Sequence, residues 1–316
     1  MTKYHSPFWL RGAHRQTTYP HLFRKVPAVD WMRERLYTPD GDFFDIDQRI
    51  FPDKPIVVLL HGLEGSSTST YIAGTARYFM RAGWGVVALN MRSCSGEINR
   101  SLSFYHSGFT DDLDFLLNQL SNRHPQRPIF GLGFSLGGNI VLCSAGRSRA
   151  DCQLQAVLAV SAPLDLSSST YKMRAWPTRW YEQRFLRMLK RKVRQKDERL
   201  RTAGIDMESI YGAPTLRLFD RYLTAPTFGF VDEEDYYQQS SSLPLLPEIQ
   251  VPTLLLQSYD DPMLSDKCYP NTDGFSAVSC LYTKQGGHVG FIHGQPWNTR
   301  YFVEEEAFRF FSSHLE

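Results

Sequence analysis

The sequence predicts an α/β fold in which a mostly parallel central sheet is covered by helices on both faces. Short apolar segments alternate with segments of helical periodicity, the alternation stops over residues 165–248, and it resumes in the last part of the chain. Because 42% of the 316 residues are hydrophobic and only 22% are charged, the chain can bury a sizeable core.

The predicted elements follow from apolar patterning. The run 55–60 is apolar throughout, as in a strand buried on both faces, whereas leucines at 113, 116, 117 and 120 recur at helical spacing. Strands are predicted at 33–38 and 43–51 as a hairpin, then at 55–60, 85–91, 128–134, 154–160, 253–258 and 277–283. Helices are predicted at 70–81, 107–120, 137–145 and 299–314.

The interruption of this pattern suggests how the domains are organised. No strand pattern is visible between residues 165 and 248, which lie in the middle of the α/β alternation. We therefore expect residues 1–164 and 249–316 to form the core, and residues 165–248 to form an inserted helical cap or lid.

A pentapeptide of chemical interest lies where the strand 128–134 is followed by a helix. Gly133-Phe134-Ser135-Leu136-Gly137 fits the pattern G-x-S-x-G, and a further glycine, Gly138, follows it. A serine at the apex of a sharp strand-to-helix turn needs small neighbours because chain segments approach closely there. The N-terminus of the following helix directs backbone N–H groups towards developing negative charge. We predict that Ser135 is the nucleophile of an α/β-hydrolase fold.

A serine of ordinary acidity needs a general base. In this fold the acid and then the histidine follow the nucleophile along the chain. His288 comes after Gly286 and Gly287 in the loop behind the last predicted strand. We expect His288 to be the base, with His293 as the alternative.

The acid is expected at the carboxyl end of the strand before the histidine, where catalytic groups gather in open α/β sheets. Asp260 and Asp261 both follow the strand 253–258. We prefer Asp261 because Pro262 fixes the turn directly after it. Asp260 stays open as the alternative, and one of the two is expected to form the turn itself.

An oxyanion hole needs two backbone N–H donors. One is expected at Leu136, directly after the nucleophile. The other is expected at Leu63, in the turn His61-Gly62-Leu63-Glu64-Gly65 after the strand 55–60. We expect His61 to brace this loop.

Four segments spread along nearly the whole chain form a further pattern. They are Trp9-Leu10-Arg11 with His14 and Gln16-Thr17; His61-Gly62-Leu63-Glu64-Gly65-Ser66-Ser67; Gly133-Phe134-Ser135-Leu136-Gly137-Gly138-Asn139; and a signature from Asp220 through Gly229-Phe230, Asp235-Tyr236-Tyr237, Ser241, Ile249 and Pro252 to Asp260-Asp261. In these segments the sequence resembles the YheT-like branch of the α/β hydrolases, also called the AB hydrolase 4 family. The resemblance implies a triad of Ser135, Asp261 and His288. It also implies an esterase or lipase.

The expected activity is cleavage of carboxylic esters through an acyl-enzyme. The resemblance implies esters with short- to medium-chain acyl groups, acylglycerols among them. The substrate would be a small-molecule acyl ester, and the mechanism requires no metal and no organic cofactor. An alcohol O-acyltransferase would use the same triad if an alcohol outcompeted water at the acyl-enzyme. A non-catalytic binding protein on the same fold is the second alternative, although all three triad residues are present.

The charge of the chain is unevenly distributed. Residues 171–202 carry 12 lysines and arginines against 3 acidic residues, although the net charge of the whole chain is only +2. We expect a helix here that packs on the core through an apolar stripe, and peripheral contact of 171–202 with anionic lipid is the functional hypothesis. The stripe would consist of Trp176, Trp180, Phe185, Leu189 and Val193. Nucleic-acid binding is not expected, because no recognised module accompanies the charge.

The cysteines and the N-terminal sequence bear on the cellular compartment. Five cysteines without a Cys-x-x-Cys pair argue against a disulfide scaffold or a structural zinc site. The first residues lack the apolar core of a signal peptide, and no segment approaches 18 consecutive apolar residues. We therefore expect a cytoplasmic protein.

Overall fold

The computed structural model describes residues 4–315. Its strands are β1 (Met32–Tyr37), β2 (Phe43–Arg49), β3 (Ile56–Leu60), β4 (Gly85–Asn90), β5 (Ile129–Phe134), β6 (Ala156–Val160), β7 (Thr253–Ser258), β8 (Val278–Thr283), β9 (Ile292–Gln295) and β10 (Asn298–Tyr301). Its α-helices are α1 (Ala13–Phe23), α2 (Thr70–Arg81), α3 (Asp111–Arg123), α4 (Leu136–Ser148), α5 (Leu166–Arg174), α6 (Arg179–Val193), α7 (Asp197–Thr202), α8 (Met207–Gly212), α9 (Leu216–Phe219), α10 (Ala225–Phe228), α11 (Glu233–Ser240) and α12 (Phe302–Ser312).

The central sheet has eight strands in the order β1-β2-β4-β3-β5-β6-β7-β8. The pairs β1–β2 and β2–β4 are antiparallel, and every pair from β4 to β8 is parallel. This is the α/β-hydrolase fold, which confirms the fold class predicted from the sequence. Parallel strands end at a common edge of the sheet, so the loops that follow β3, β5 and β7 meet there.

Each face of the sheet supports its own hydrophobic core, because successive side chains of a strand point to opposite faces. In β3, Val58 belongs to the cluster that also contains α3, α4 and much of the segment 165–248, whereas Val57 belongs to the cluster with α2 and α12. Both side chains are fully buried. The strands that carry the site are thus held from both sides.

Two predicted boundaries in the α/β core were wrong for reasons that lie in the tertiary structure. The helix predicted at 107–120 begins only at Asp111, because the Ser107 N–H bonds the Tyr236 hydroxyl and Gly108 packs against the backbone of Ser240. The helix predicted at 299–314 begins at Phe302. The residues before it form the hairpin of β9 and β10, which the sequence analysis did not predict.

The segment between β6 and β7 is helical. Residues 165–248 contain α5 to α11 and no strand, in line with the absence of a strand pattern in their sequence. A π-helical turn at Asp220–Thr224 joins α9 to α10. Within residues 4–315, no helix combines the length and the apolar character needed to cross a membrane.

Candidate active site

Ser135 stands at a sharp turn between β5 and α4, with φ +53° and ψ −120°. Residues with a larger side chain than glycine rarely fit beside such a turn. A Cβ on Gly133 would lie 2.2 Å from the Gly137 carbonyl oxygen, and a Cβ on Gly137 would lie 2.5 Å from the His61 carbonyl oxygen. The glycines of the pentapeptide are therefore required by close approach of the backbone on both sides of the serine.

A chain of hydrogen bonds links three side chains from three loops. His288 Nε2 lies 2.8 Å from Ser135 Oγ, and His288 Nδ1 lies 2.8 Å from Asp261 Oδ2. Asp261 follows β7 and is 1% exposed, and its Oδ1 accepts the Met263 N–H at 2.8 Å. The fixed carboxylate favours the histidine tautomer that carries its proton on Nδ1. In this tautomer Nε2 is unprotonated and can accept the serine proton.

The two alternatives kept open by the sequence are placed differently. Asp260 Oδ1 accepts the Ser258 hydroxyl at 2.6 Å and the Gly287 N–H at 2.8 Å, so this residue shapes the turn and ties it to the histidine loop. His293 lies in the β9–β10 hairpin with Nε2 3.3 Å from Glu305. It is Asp261 and His288 that lie in line with the serine.

The loop that carries His288 is held by three side-chain oxygens on consecutive backbone N–H groups. Asp260 Oδ1 accepts from Gly287, Thr17 Oγ1 accepts from His288 at 2.9 Å, and Ser161 Oγ accepts from Val289 at 3.0 Å. No role was predicted for Thr17 or Ser161 from the sequence. Val289 adopts a positive φ of 61°, a strained conformation that such anchoring can maintain.

Helix α1 packs unusually close to this loop. A Cβ on Gly287 would lie 2.5 Å from the Ala13 carbonyl oxygen, and a Cβ on Gly290 would lie 2.3 Å from that of Gln16. Gln16 is fully buried, and its side chain accepts the Ile292 N–H at 2.9 Å and donates to the Ile292 carbonyl at 3.3 Å. The glycines around His288 were a sequence signal for this contact.

In the loop after β3, one backbone N–H group lacks a hydrogen-bond acceptor within residues 4–315. The Gly62 N–H bonds the Tyr71 hydroxyl and the Glu64 N–H bonds the Tyr105 hydroxyl, both at 2.9 Å, whereas the Leu63 N–H has no acceptor within residues 4–315. Leu136 is the first residue of α4, where a backbone N–H has no intrahelical acceptor. A Cβ on Gly62 would lie 3.2 Å from the Cβ of Ser135, so this loop passes directly beside the serine.

His61 braces the same loop from below. Its Nε2 lies 3.1 Å from the Met91 N–H, from which it accepts, and its Nδ1 lies 2.7 Å from the Gly62 carbonyl, to which it donates. Burial lowers the pKa of His61 to about 4. The ring is therefore neutral near pH 7 and uses both nitrogens to fix the loop.

An apolar cavity opens beside Ser135 and His288. It encloses about 1060 Å³, including the part that opens to solvent. Its apolar lining includes Phe104, Leu166, Met173, Phe185, Leu189 and Phe219, most of which belong to residues 165–248. A hydrocarbon chain could be removed from water here within reach of the serine.

A second, more polar cavity reaches the same serine and histidine from the side of α1 and α2. It encloses about 1290 Å³, including its open part. Its lining includes the hydroxyl side chains Thr17, Thr18, Thr68, Ser69, Thr70 and Tyr71. The serine therefore lies between two chambers of different polarity.

Helix α6 contributes to both chambers through adjacent stripes at four-residue spacing. Trp180, Arg184 and Met188 line the polar cavity, Leu189 and Val193 line the apolar one, and Phe185 between them borders both. The predicted apolar stripe is thus divided. Phe185, Leu189 and Val193 line the apolar cavity, whereas Trp176 is 89% exposed and Trp180 is 41% exposed. The expectation that the whole stripe packs on the core was therefore wrong.

The positive charge of 171–202 is not all on a solvated face. Lys192 is buried beside Glu64, with Nζ 2.6 Å from Oε1, and the Tyr105 hydroxyl donates to the same oxygen at 2.7 Å. Cys94 Sγ lies 3.1 Å from Lys192 Nζ, and all five cysteines are free thiols. Across residues 4–315, no group of three or more His, Cys, Asp or Glu side chains is placed to hold a metal ion.

The sheet order and the serine turn define an α/β hydrolase, and comparison with known proteins identifies its family. Residues 52–267 match the family described as serine aminopeptidase, S33, and the chain belongs to this family of hydrolases. The chain is 34% identical over 311 residues to the putative esterase YheT of Escherichia coli, covering 96% of this chain and 92% of that protein. The resemblance to YheT-like hydrolases is thereby confirmed.

Other relatives carry lipase names. A monoacylglycerol lipase of Saccharomyces cerevisiae is 29% identical, covering 84% of this chain and 61% of that protein. The human phospholipase ABHD3 is 27% identical, covering 92% of this chain and 74% of that protein. Among solved structures, the Pyrococcus furiosus esterase Pf2001 aligns with a TM-score of 0.60 at 14% identity, covering 93% of this chain and 96% of that one, which supports the fold alone.

Thr17 supports the histidine loop from α1 through a single hydrogen bond. Thr17→Val keeps the size of the side chain and removes the acceptor of the His288 N–H, which is the kind of loss that costs roughly 1–3 kcal/mol. We expect kcat for p-nitrophenyl butyrate to fall about tenfold with little change in KM. Steady-state kinetics measure this split between kcat and KM.

Two further variants separate positioning of the histidine from general damage. Thr17→Ser retains the hydroxyl and should recover most of the activity. Thr202→Val removes a hydroxyl that makes the same kind of bond within a helix, to the Glu198 carbonyl in α7, and lines neither cavity, so it should change kcat little. Equal losses in Thr17→Val and Thr202→Val would contradict a positioning role for Thr17.

Proposed function

We propose that this protein is a serine esterase or lipase that cleaves carboxylic esters with Ser135 as nucleophile, His288 as general base and Asp261 as the orienting acid. The observation that carries the proposal is the hydrogen-bonded chain from Asp261 through His288 to Ser135, with 2.8 Å at each link. The esterase and lipase relatives support the same reaction class.

In the proposed cycle, His288 takes the Ser135 proton through Nε2 while Oγ attacks the ester carbonyl. The tetrahedral intermediate collapses when His288 returns that proton to the leaving alcohol, and an acyl-enzyme remains. Water then attacks the acyl-enzyme and gives a proton to His288. His288 returns this proton to Ser135 Oγ as the second tetrahedral intermediate collapses and the carboxylic acid leaves. Asp261 keeps the ring in the correct tautomer and stabilises the imidazolium that forms twice in each cycle.

The oxyanion is proposed to be held by the backbone N–H groups of Leu63 and Leu136. Their support is that the Leu63 N–H lies between two N–H groups that are engaged, and that the Leu136 N–H directly follows the serine in the first turn of α4. A single donor of this kind contributes about 10²–10³ to kcat. Because both donors are main-chain groups on braced segments, they need no rearrangement during the reaction.

The two cavities suggest how an ester would lie. We propose that residues 165–248 act as a cap whose apolar lining receives the acyl chain, and that the polar cavity receives the alcohol part. The support is the contrast between an apolar lining with Leu189 and Phe219 and a hydroxyl-rich lining on the other side of the serine. Short- to medium-chain acyl groups are the proposed substrates.

The test of this activity is hydrolysis of p-nitrophenyl esters from acetate to palmitate. Ser135→Ala should lower turnover by about 10⁴–10⁶, because the whole relay depends on the serine oxygen. Ser148→Ala, at the far end of the same helix, is the matched control and should leave turnover unchanged. An unaltered rate in Ser135→Ala would show that another group performs the reaction.

The surface around the start of α6 supports a peripheral contact with anionic lipid through 171–202. Trp176 and Trp180 are exposed next to the exposed basic side chains of Arg174 and Arg179. Aromatic rings enter the interfacial region of a bilayer, and arginines beside them favour anionic headgroups. We propose that this surface brings the cavities to the lipid that contains the substrate.

Vesicle flotation tests this contact. We expect binding to phosphatidylglycerol-containing vesicles that weakens with salt and is reduced by Trp176→Ser. Trp297 is similarly exposed, in the β9–β10 turn, so Trp297→Ser is the matched control and should bind normally. Equal binding to neutral vesicles, or insensitivity to Trp176→Ser, would contradict the proposal.

A further inference from the structure

The polar cavity contains a positive charge that the protein does not neutralise. Arg184 is the only lysine or arginine among the described residues that line it. Within residues 4–315 its guanidinium has no carboxylate partner, and its hydrogen bond goes to His21 Nε2 at 2.6 Å. The bond to α1 holds the guanidinium at the wall of the chamber.

His21 does not supply a compensating negative charge. Because its Nε2 accepts from Arg184, the ring cannot carry a proton on that nitrogen. Partial burial and the adjacent guanidinium lower the pKa of His21. The Arg184–His21 pair therefore bears one net positive charge near neutral pH.

The acidic residue of the same cavity is already engaged. Glu64 lines the chamber, but its Oε1 lies 2.6 Å from Lys192 Nζ. Both of these side chains are largely buried, at 6% and 10% exposure. Lys192 is thus paired with a carboxylate of the protein, whereas Arg184 is not.

We propose that the polar cavity binds an alcohol moiety that carries a phosphate group, and that Arg184 is the residue that selects it. The assignment of this cavity to the alcohol rests on the function proposed above. A guanidinium offers two parallel N–H groups that match two phosphate oxygens, and charge-assisted bonds of this kind are stronger than neutral ones. Glycerol 3-phosphate combines such a phosphate with hydroxyls suited to a hydroxyl-rich wall.

The test compares two esters that share one acyl chain. Wild-type protein should hydrolyse 1-octanoylglycerol 3-phosphate with a higher kcat/KM than 1-octanoylglycerol, both below their aggregation concentrations. Arg184→Gln should lower kcat/KM for the phosphate ester about tenfold or more and leave that for the neutral ester within about twofold. Arg184→Lys keeps the positive charge but loses the two parallel N–H groups, so its kcat/KM for the phosphate ester should be intermediate.

Arg191 is the control for charge alone, since it is an exposed arginine on the same helix that lines neither cavity. Arg191→Gln changes the net charge equally and should preserve the preference for the phosphate ester. An Arg184→Gln variant that keeps this preference, or that loses activity on both esters alike, would overturn the proposal.

A binding measurement separates this inference from the proposed reaction. Glycerol 3-phosphate should bind Ser135→Ala as it binds wild type, and bind Arg184→Gln about tenfold more weakly, in a titration followed by protein NMR. If glycerol 3-phosphate binds with this pattern but no ester is hydrolysed, the proposed phosphate site stands and the proposed esterase activity is wrong. If esters are hydrolysed but glycerol 3-phosphate does not bind with this pattern, the esterase activity stands and the proposed phosphate site is wrong.

Discussion

The close approach of three backbone segments around Ser135 is the constraint on which the rest of the site depends. The turn after β5, the loop after β3 and the start of α4 pass so near one another that a single Cβ at Gly133 or Gly137 would overlap main-chain oxygen. This crowding holds the serine in a strained conformation. Sheet packing on both faces maintains that strain.

The histidine depends on a different kind of support. Its loop adopts positive φ at Gly287, Val289 and Phe291, and such a loop would not keep one conformation by its own local preferences. Oxygens from three distant parts of the chain fix its N–H groups, and α1 packs against its glycines. The N-terminal helix is therefore part of the architecture of the site, although it provides none of the reacting groups.

The features that could be predicted from the sequence are those with a local signal. The strand Thr253–Ser258 and the helix Thr70–Arg81 were predicted with their observed bounds, because apolar runs and helical periodicity determine them within a few residues. The glycines flanking Ser135 and preceding His288 likewise singled out residues that lie within hydrogen-bonding distance in the structure. The partnership of Thr17 with His288 spans 271 positions and has no local signature. The exposure of Trp176 and the burial of Lys192 also depend on tertiary packing, which residue spacing within 171–202 does not define.

Activation of Ser135 by His288 and Asp261 underlies the proposed reaction. Reaction with a fluorophosphonate followed by peptide mass spectrometry tests it directly, because the reagent phosphonylates an activated serine and records its position. We expect one adduct, on Ser135. It should form at least about 10²-fold more slowly in His288→Ala, because the general base is missing. An adduct on another residue, or labelling of Ser135 at the same rate in His288→Ala, would contradict it.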